Sequence, residues 1–204
     1  DDSDENFENN IQKREDKIIY LFRGKKLGRG SAVLYGIEYA LNTFDDIDLF
    51  IEMDADMSHN PNELKKNLTF FSENNLDLLI SSRYKKNSKI INWPLKRKIL
   101  SFLSNRLSKL ILNVPITDYT NGYRIYSSQA AKFVLQNCGK IGDGYIVLSE
   151  ILIQLYYNKY KIDEIDTIFV NRVRGTSNVT ILEILSSLIG LFKIWREKKK
   201  IIGS

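Results

Sequence analysis

Two carboxylates one residue apart, Asp54-Ala55-Asp56, directly follow an apolar run. Carboxylates at i and i+2 after a strand can hold one hard divalent cation, with water and ligand phosphates completing its shell. Such an ion neutralises the charge of a diphosphate leaving group. The same turn also reads as helix-capping aspartates ahead of Pro61. Ser58 and His59 come next, and His59 is the only histidine. One histidine does not make a zinc site, so His59 reads as a partly exposed turn residue. A second cluster is basic and glycine-rich: Arg23-Gly24-Lys25-Lys26-Leu27-Gly28-Arg29-Gly30-Ser31-Ala32. Glycines let backbone approach a ligand, and a helix N-terminus attracts phosphate. The cluster is not a P-loop, because its lysines precede the later glycines, and the full dinucleotide fingerprint is missing. Arg83, Arg97, Arg124, Arg172 and Arg174 recur in loops or at helix starts. Arginine grips phosphate bidentately and is always charged, but each one alone reads as surface as readily as site. The polar stretch Thr117 to Arg124 either lines a cleft or forms an ordinary capped turn.

The elements that must position these residues follow from periodicity. Lys17 to Phe22, Ile47 to Met53 and Asp77 to Ser82 read as short buried strands. Ser31 to Leu41 reads as a helix with Ser31 near its start, and Pro61 opens another that runs to about Glu73. Arg83 to Pro94 reads as a polar loop, and Leu95 to Leu112 as a helix from the spacing of Leu95, Ile99, Phe102, Leu103, Leu107, Leu110 and Ile111. Tyr123 to Tyr126 is a short strand, Gln129 to Gln136 and Ile146 to Tyr157 are helices, and Lys161 to Val170 is an edge strand. Arg172 to Ser177 is a basic loop ahead of a long helix to about Lys199. Alternating strands and helices predict an α/β sandwich with a mostly parallel sheet. Ligands in such sheets sit at the carboxyl ends of the strands. That puts the turns after Phe22, Met53 and Ser82 on one rim, with Arg23, Lys25, Lys26, Asp54, Asp56 and Arg83.

The 204 residues suit one domain, and 43% hydrophobic with 27% charged residues is enough to bury a core. The net charge of +5 is too weak to argue for nucleic acid but fits an anionic ligand or membrane surface. Cys138 is the only cysteine, which excludes an internal disulfide and makes a reducing compartment the default. It reads as a small buried apolar residue. The acidic, polar start from Asp1 to Asn10 does not read as a secretory leader. No uncharged apolar run reaches 18 residues; Val179 to Trp195 comes nearest and is interrupted by Glu183 and Lys193.

Taken in order, the motifs resemble family 2 inverting glycosyltransferases of the GT-A fold, the nucleotide-diphospho-sugar transferases. Within them they resemble the dolichol-phosphate mannose synthases and related polyprenyl-phosphate glycosyltransferases. The resemblance runs from Asp1 to about Lys193. It rests on Asp1-Asp2-Ser3, Lys26 to Ala32, Met53 to His59, Ser82-Arg83-Tyr84, Trp93 to Lys98, Thr117 to Arg124 and Asn171 to Ser177. It implies that Asp1 or Asp2 contacts the nucleoside. Lys26, Gly28, Asp54, Ala55 and Asp56 would line the nucleotide-sugar site, and Asp54, Asp56 and Ser58 would hold Mg²⁺ or Mn²⁺. Arg83, Arg97, Arg172 and Arg174 would grip the acceptor phosphate, with Asp56, Arg97 and Asp118 in catalytic roles. Asn178 stands where the family carries a lysine after the last Gly-x-Ser, and Asn121 precedes the Gly122 that the family keeps in its Asp-x-Thr-x-Gly loop.

The implied reaction is inverting transfer of a hexose, mannose from GDP-mannose first and UDP-glucose as the other donor, to a dolichyl or polyprenyl phosphate. A lipid monophosphate is already anionic, so no dedicated base is needed; cations must offset the repulsion between two anions. A saccharide or protein acceptor would need a base, with Asp118 the first candidate. A non-catalytic fragment or interaction subunit is the reading from another class. The family begins with a strand ending in a Pro-x-Tyr-Asn-Glu-like segment, a helix and a second strand, whereas this chain starts at Asp-Asp-Ser. The resemblance thus implies a GT-A domain over residues 1–178 lacking its first strands, a fragment or half of a split protein. Residues 179–204 form an amphipathic helix ending in the basic run Arg196 to Lys200. That helix either contacts a membrane or a small membrane subunit, or packs as a core helix with a solvated end. A lipid acceptor favours the first, with a peripheral position on the cytosolic face of a membrane.

Overall fold

The computed structural model describes residues 18–24, 28–142, 144, 146–171 and 181–203. Helix α1 (Arg29–Thr43) leads to strand β1 (Leu49–Glu52). A 3-10 turn at Pro61–Glu63 opens α2 (Leu64–Glu73), where the Asn60 side chain caps the Asn62 N–H. Then come β2 (Leu78–Ser82), β3 (Lys89–Ile91), α3 (Leu95–Leu112), β4 (Arg124–Ser127), α4 (Ser128–Asn137), α5 (Ile146–Tyr157), β5 (Ile162–Asp166), β6 (Ile168–Val170) and α6 (Ile181–Gly203).

The main sheet has the order β1-β4-β2-β5. β4 is antiparallel to β1 and β2, and β5 is parallel to β2, so β1, β2 and β5 all run the same way. β3 and β6 pair in a separate parallel ribbon. The alternation of a two-faced sheet divides β2. Leu78 and Ile80 join Tyr126, Val134, Val147, Ile151, Leu152 and Ile194 in the larger core, under α1, α4, α5 and α6. Leu79 joins Ile125, Ile165, Phe71 and Leu76 on the opposite face, under α2. The result is helices on both faces of a sheet. Cys138 is buried in the larger core, where burial pushes its thiol well up.

Three expectations are corrected. Ile18 to Phe22 form no strand; among the described residues no neighbouring strand takes up their backbone groups, and their side chains are largely exposed. The Arg83 to Pro94 segment is not wholly loop, because β3 forms there against β6. Lys161 to Val170 is not one edge strand but two: β5 edges the main sheet, and β6 leaves it to pair with β3. Helix α6 packs on α5 and α3, with Leu191 and Ile194 in the larger core and Phe192 exposed.

Candidate active site

The rim at the carboxyl ends of β1 and β2 collects the polar motifs. Asp54 leaves β1, Arg83 leaves β2, and Asn121 and Gly122 enter antiparallel β4 at the same end. Asp56 sits exposed in its turn and accepts the Ser58 N–H at 3.0 Å. Asp54 is held from two sides. Arg29 donates to its Oδ1 through Nε at 3.0 Å, with Nη2 at 2.8 Å, and its own N–H donates to His59 Nδ1 at 2.9 Å. Arg29 also reaches Glu52 at 2.8 Å and donates to the Gly122 carbonyl at 3.2 Å. A Cβ on Gly122 would lie 1.8 Å from that guanidinium, so a larger residue there would have to push the Arg29 side chain aside. Burial raises the Glu52 carboxyl despite the neighbouring Arg29 and Arg124 cations. Gly28 precedes α1 at φ 84°, a conformation natural to glycine, and its carbonyl accepts from Arg23 and Ser31.

His59 is not a partly exposed turn residue; it is 2% exposed. It packs against Tyr123 and Phe169 with ring centroids 5.4 and 5.5 Å away. Because Nδ1 accepts the Asp54 N–H, the ring proton lies on Nε2, 3.1 Å from Asn121 Oδ1. Burial lowers the imidazole pKa, which keeps the ring neutral, although Asp54 pulls the other way. His59 thus joins the acidic turn to the Thr117–Gly122 loop.

That loop carries a buried, bidentate arginine–carboxylate pair. Arg83 Nε and Nη2 each donate to an Asp118 oxygen at 2.7 Å, and Nη2 also donates to Thr120 Oγ1 at 2.7 Å. The N–H groups of Arg83, Thr120 and Asn121 also donate to the Asp118 carboxylate. Burial alone would raise the Asp118 pKa, but the Arg83 cation and these donors hold it below the usual carboxylate range. Asp118, a base candidate by sequence, is here the sealed counter-ion of Arg83. From β5, Glu164 accepts the N–H groups of Thr117 and Asp118 at 2.8 Å each.

Arg83 lies 5.4 Å from the Trp93 ring, and Arg97 stacks over the same indole at 4.1 Å. Arg97 also donates to Asn171 Oδ1 at 3.1 Å. Asn171 follows Val170, whose N–H donates to the Ser58 carbonyl at 3.1 Å. The end of β6 therefore ties the acidic turn to the arginine pair. Arg124, by contrast, is fully buried and donates to the carbonyls of Asn121, Leu148 and Tyr119, so it bolts the fold together. Asp1, Asp2, Lys26, Arg172 and Arg174 lie outside the described residues.

Sequence reasoning missed Arg29, Glu52, Glu164 and Asn171 as partners. Arg29 had one signal, its place between two glycines ahead of a helix. Glu164 had none, because only the tertiary fold brings it 47 positions back to Thr117. Among the described residues no three His, Cys, Asp or Glu side chains form a ready metal cage. The donor set at the turn is hard oxygen, and the Ser58 hydroxyl is buried with no hydrogen-bond partner among the described residues. Such a site suits Mg²⁺ or Mn²⁺, which take few protein ligands when a ligand's phosphates supply the rest.

Comparison with known proteins agrees with this architecture. The family model "Glycosyl transferase family 2" matches residues 1–135. The polyprenol monophosphomannose synthase of Mycolicibacterium smegmatis is 31% identical over 165 residues, covering 81% of this chain and 61% of that protein. The undecaprenyl-phosphate mannosyltransferase of Micrococcus luteus is 31% identical over 168 residues, covering 81% and 67%. The chain thus spans about three fifths to two thirds of the length of these relatives. Among solved structures, glucosyl-3-phosphoglycerate synthase from Mycobacterium tuberculosis, in complex with Mn²⁺, UDP-glucose and phosphoglyceric acid, superposes with a TM-score of 0.56. It is 13% identical, with 84% of this chain and 55% of that one covered, which establishes the GT-A fold. On these grounds the chain belongs to glycosyl transferase family 2.

Proposed function

We propose that this chain forms the catalytic part of an enzyme transferring a hexose, mannose from GDP-mannose first, to a polyprenyl or dolichyl phosphate. The observation that carries this reading is the shared rim: an acidic turn and two arginines on one indole, linked through Ser58, Val170 and Asn171. Identity to two enzymes named for polyprenyl-phosphate mannose transfer supports the choice of acceptor.

In the reaction an acceptor phosphate oxygen bonds to the sugar C1, the bond from C1 to the donor diphosphate breaks, and the nucleoside diphosphate departs. Asp54, Asp56 and Ser58 would hold a divalent ion, which supplies neutralisation of the diphosphate charge. Arg97, half-buried in the first turn of α3, meets the incoming phosphate with help from the helix N-terminus. Arg83 stands behind it with its fork fixed by Asp118 and Thr120. Asp118, charged and bidentately paired, takes no proton; the acceptor is already anionic and needs none removed. An acceptor hydroxyl on a saccharide or protein would need a base, and no observation favours one.

The test incubates the full chain with labelled GDP-mannose or UDP-glucose, Mn²⁺ and a short polyprenyl phosphate. Label entering the organic-extractable lipid is the expected result, abolished in Asp56→Ala. Donor hydrolysis without lipid labelling, or no nucleotide binding at all, overturns the reading; the second result leaves a non-catalytic fragment.

A further inference from the structure

A chain of hydrogen bonds crosses the rim beneath its surface, from the acidic turn to Arg83. The Asp54 N–H donates to His59 Nδ1 at 2.9 Å, and His59 Nε2 lies 3.1 Å from Asn121 Oδ1. Asp54 Oδ2 is 3.8 Å from the same Nε2, beyond hydrogen-bond reach, so the Asn121 oxygen takes the ring proton. Asn121 donates its own N–H to Asp118 Oδ1 at 3.0 Å, and Asp118 fixes the Arg83 fork. The Asn121 amide also donates to the carbonyl of Ser81, two residues before Arg83. His59 and Asn121 are each 2% exposed and Asp118 is fully buried.

Burial and ring chemistry make this relay stiff. Breaking a link away from water strands a donor or an acceptor, and a satisfied buried network holds one arrangement. Neutral imidazole suits the middle position, because one rigid plane carries an acceptor on one side and a donor on the other. The ring is held in place: Tyr123 stacks on it, Phe169 meets it edge-on, and His59 forms a backbone bridge with Phe169. The contact is not local folding of a turn, since Asn121 lies 62 positions along the chain. Each rim arginine thus has its own tie to the acidic turn: Arg97 through Asn171, Val170 and Ser58, and Arg83 through Asp118, Asn121 and His59.

We infer that His59 and Asn121 are positioning residues that set the spacing between the acidic turn and Arg83. This rests on the proposed reaction, which puts the donor diphosphate at the turn and the incoming phosphate at the arginines. Neither side chain touches a reacting atom. Two anions that repel one another reach bonding geometry only when the groups gripping them are fixed relative to each other, and a misplacement of about 1 Å costs about a hundredfold. Loss of the relay therefore slows transfer without weakening either grip.

The test compares the full chain with His59→Asn and Asn121→Ser. An asparagine at 59 can still accept the Asp54 N–H but is too short to reach Asn121; the serine cuts the same link from the other side, so either variant serves if the other fails to fold. In the lipid-labelling assay each should lose about tenfold to a hundredfold in kcat, with both KM values and the calorimetric affinity for Mn²⁺ plus GDP within about twofold of the parent's. The double variant should be no worse than the poorer single one, because both cut one link. Hydrogen exchange gives a readout without turnover: Mn²⁺ plus GDP should slow exchange of the N–H groups of residues 117–121 in the parent and leave it unchanged in the variants. An unchanged kcat overturns the inference, as does a loss carried wholly by KM or by Mn²⁺–GDP affinity, or a double variant whose losses multiply. A parent that binds Mn²⁺ and GDP but labels no lipid sinks the acceptor reading instead, and the relay then stands or falls on the exchange difference. A parent that binds neither overturns both.

Discussion

The two acidic motifs of the rim are handled in opposite ways. Asp118 is fully buried, and both of its oxygens are taken by Arg83 and three further N–H donors from the backbone. Asp54 keeps about a third of its side chain exposed (33%), and Asp56 lies on the surface of its turn. A sealed carboxylate is an internal fastening, since removing it from water is offset only by its fixed partner. An accessible pair can still exchange water for a cation and phosphates. Identical side chains one loop apart thus divide into a scaffold and a binding element, and burial makes the division.

The sharpest way to break this comparison is Asp56→Ala. Transfer should fall by about a hundredfold or more, because several kcal/mol of charge stabilisation disappear. Urea unfolding should change by no more than about 0.5 kcal/mol, as expected of an exposed site. If stability collapses with activity, the turn is scaffold after all. Arg83→Ala should show the reverse emphasis. Leaving Asp118 charged and unpaired in the interior should cost about 3–5 kcal/mol in urea unfolding. Arg83→Lys should recover little of that, because an ammonium cannot reproduce the fork.

Acid sharpens the contrast further. The folded-state pKa of Asp118 is depressed, so its contribution is present above the unfolded value of about 4 and is lost as pH falls below that. Asp118→Asn should flatten the fall of stability in that window. The smallest effect lies higher on the scale. His59 also has a lowered folded pKa, so the native state resists protonation. Stability is full above the unfolded value of about 6.5 and declines as pH drops through it. His59→Gln should flatten the urea midpoint between about pH 7 and 5. A wild-type midpoint already flat there would refute the buried, neutral ring.

Local signals were legible. The spacing of apolar residues places α3 at Leu95–Leu112 and α5 at Ile146–Tyr157, both as observed. The acidic turn and the arginines after strands were visible because motif chemistry is written in adjacent residues. What the sequence hid is long-range. His59 reads as a solvated turn residue until Tyr123 and Phe169 close over it. Arg124 reads as a loop cation until two carbonyls of the Thr117–Gly122 loop and the Leu148 carbonyl of α5 converge on it. The direction of the α3 stripe was not legible, since periodicity reports that a face is apolar and never which way it points. Ile18 to Phe22 has strand composition, but a strand also needs a neighbour.

The buried thiol of Cys138 has a practical consequence. With one cysteine in the chain, shielded by the core and hard to ionise, maleimide reagents have no competing target in the native protein. A cysteine introduced at a solvent-facing position therefore takes a fluorophore alone, without first rebuilding the interior. Distances from single labelled positions to other molecules can then be measured on an otherwise unaltered chain.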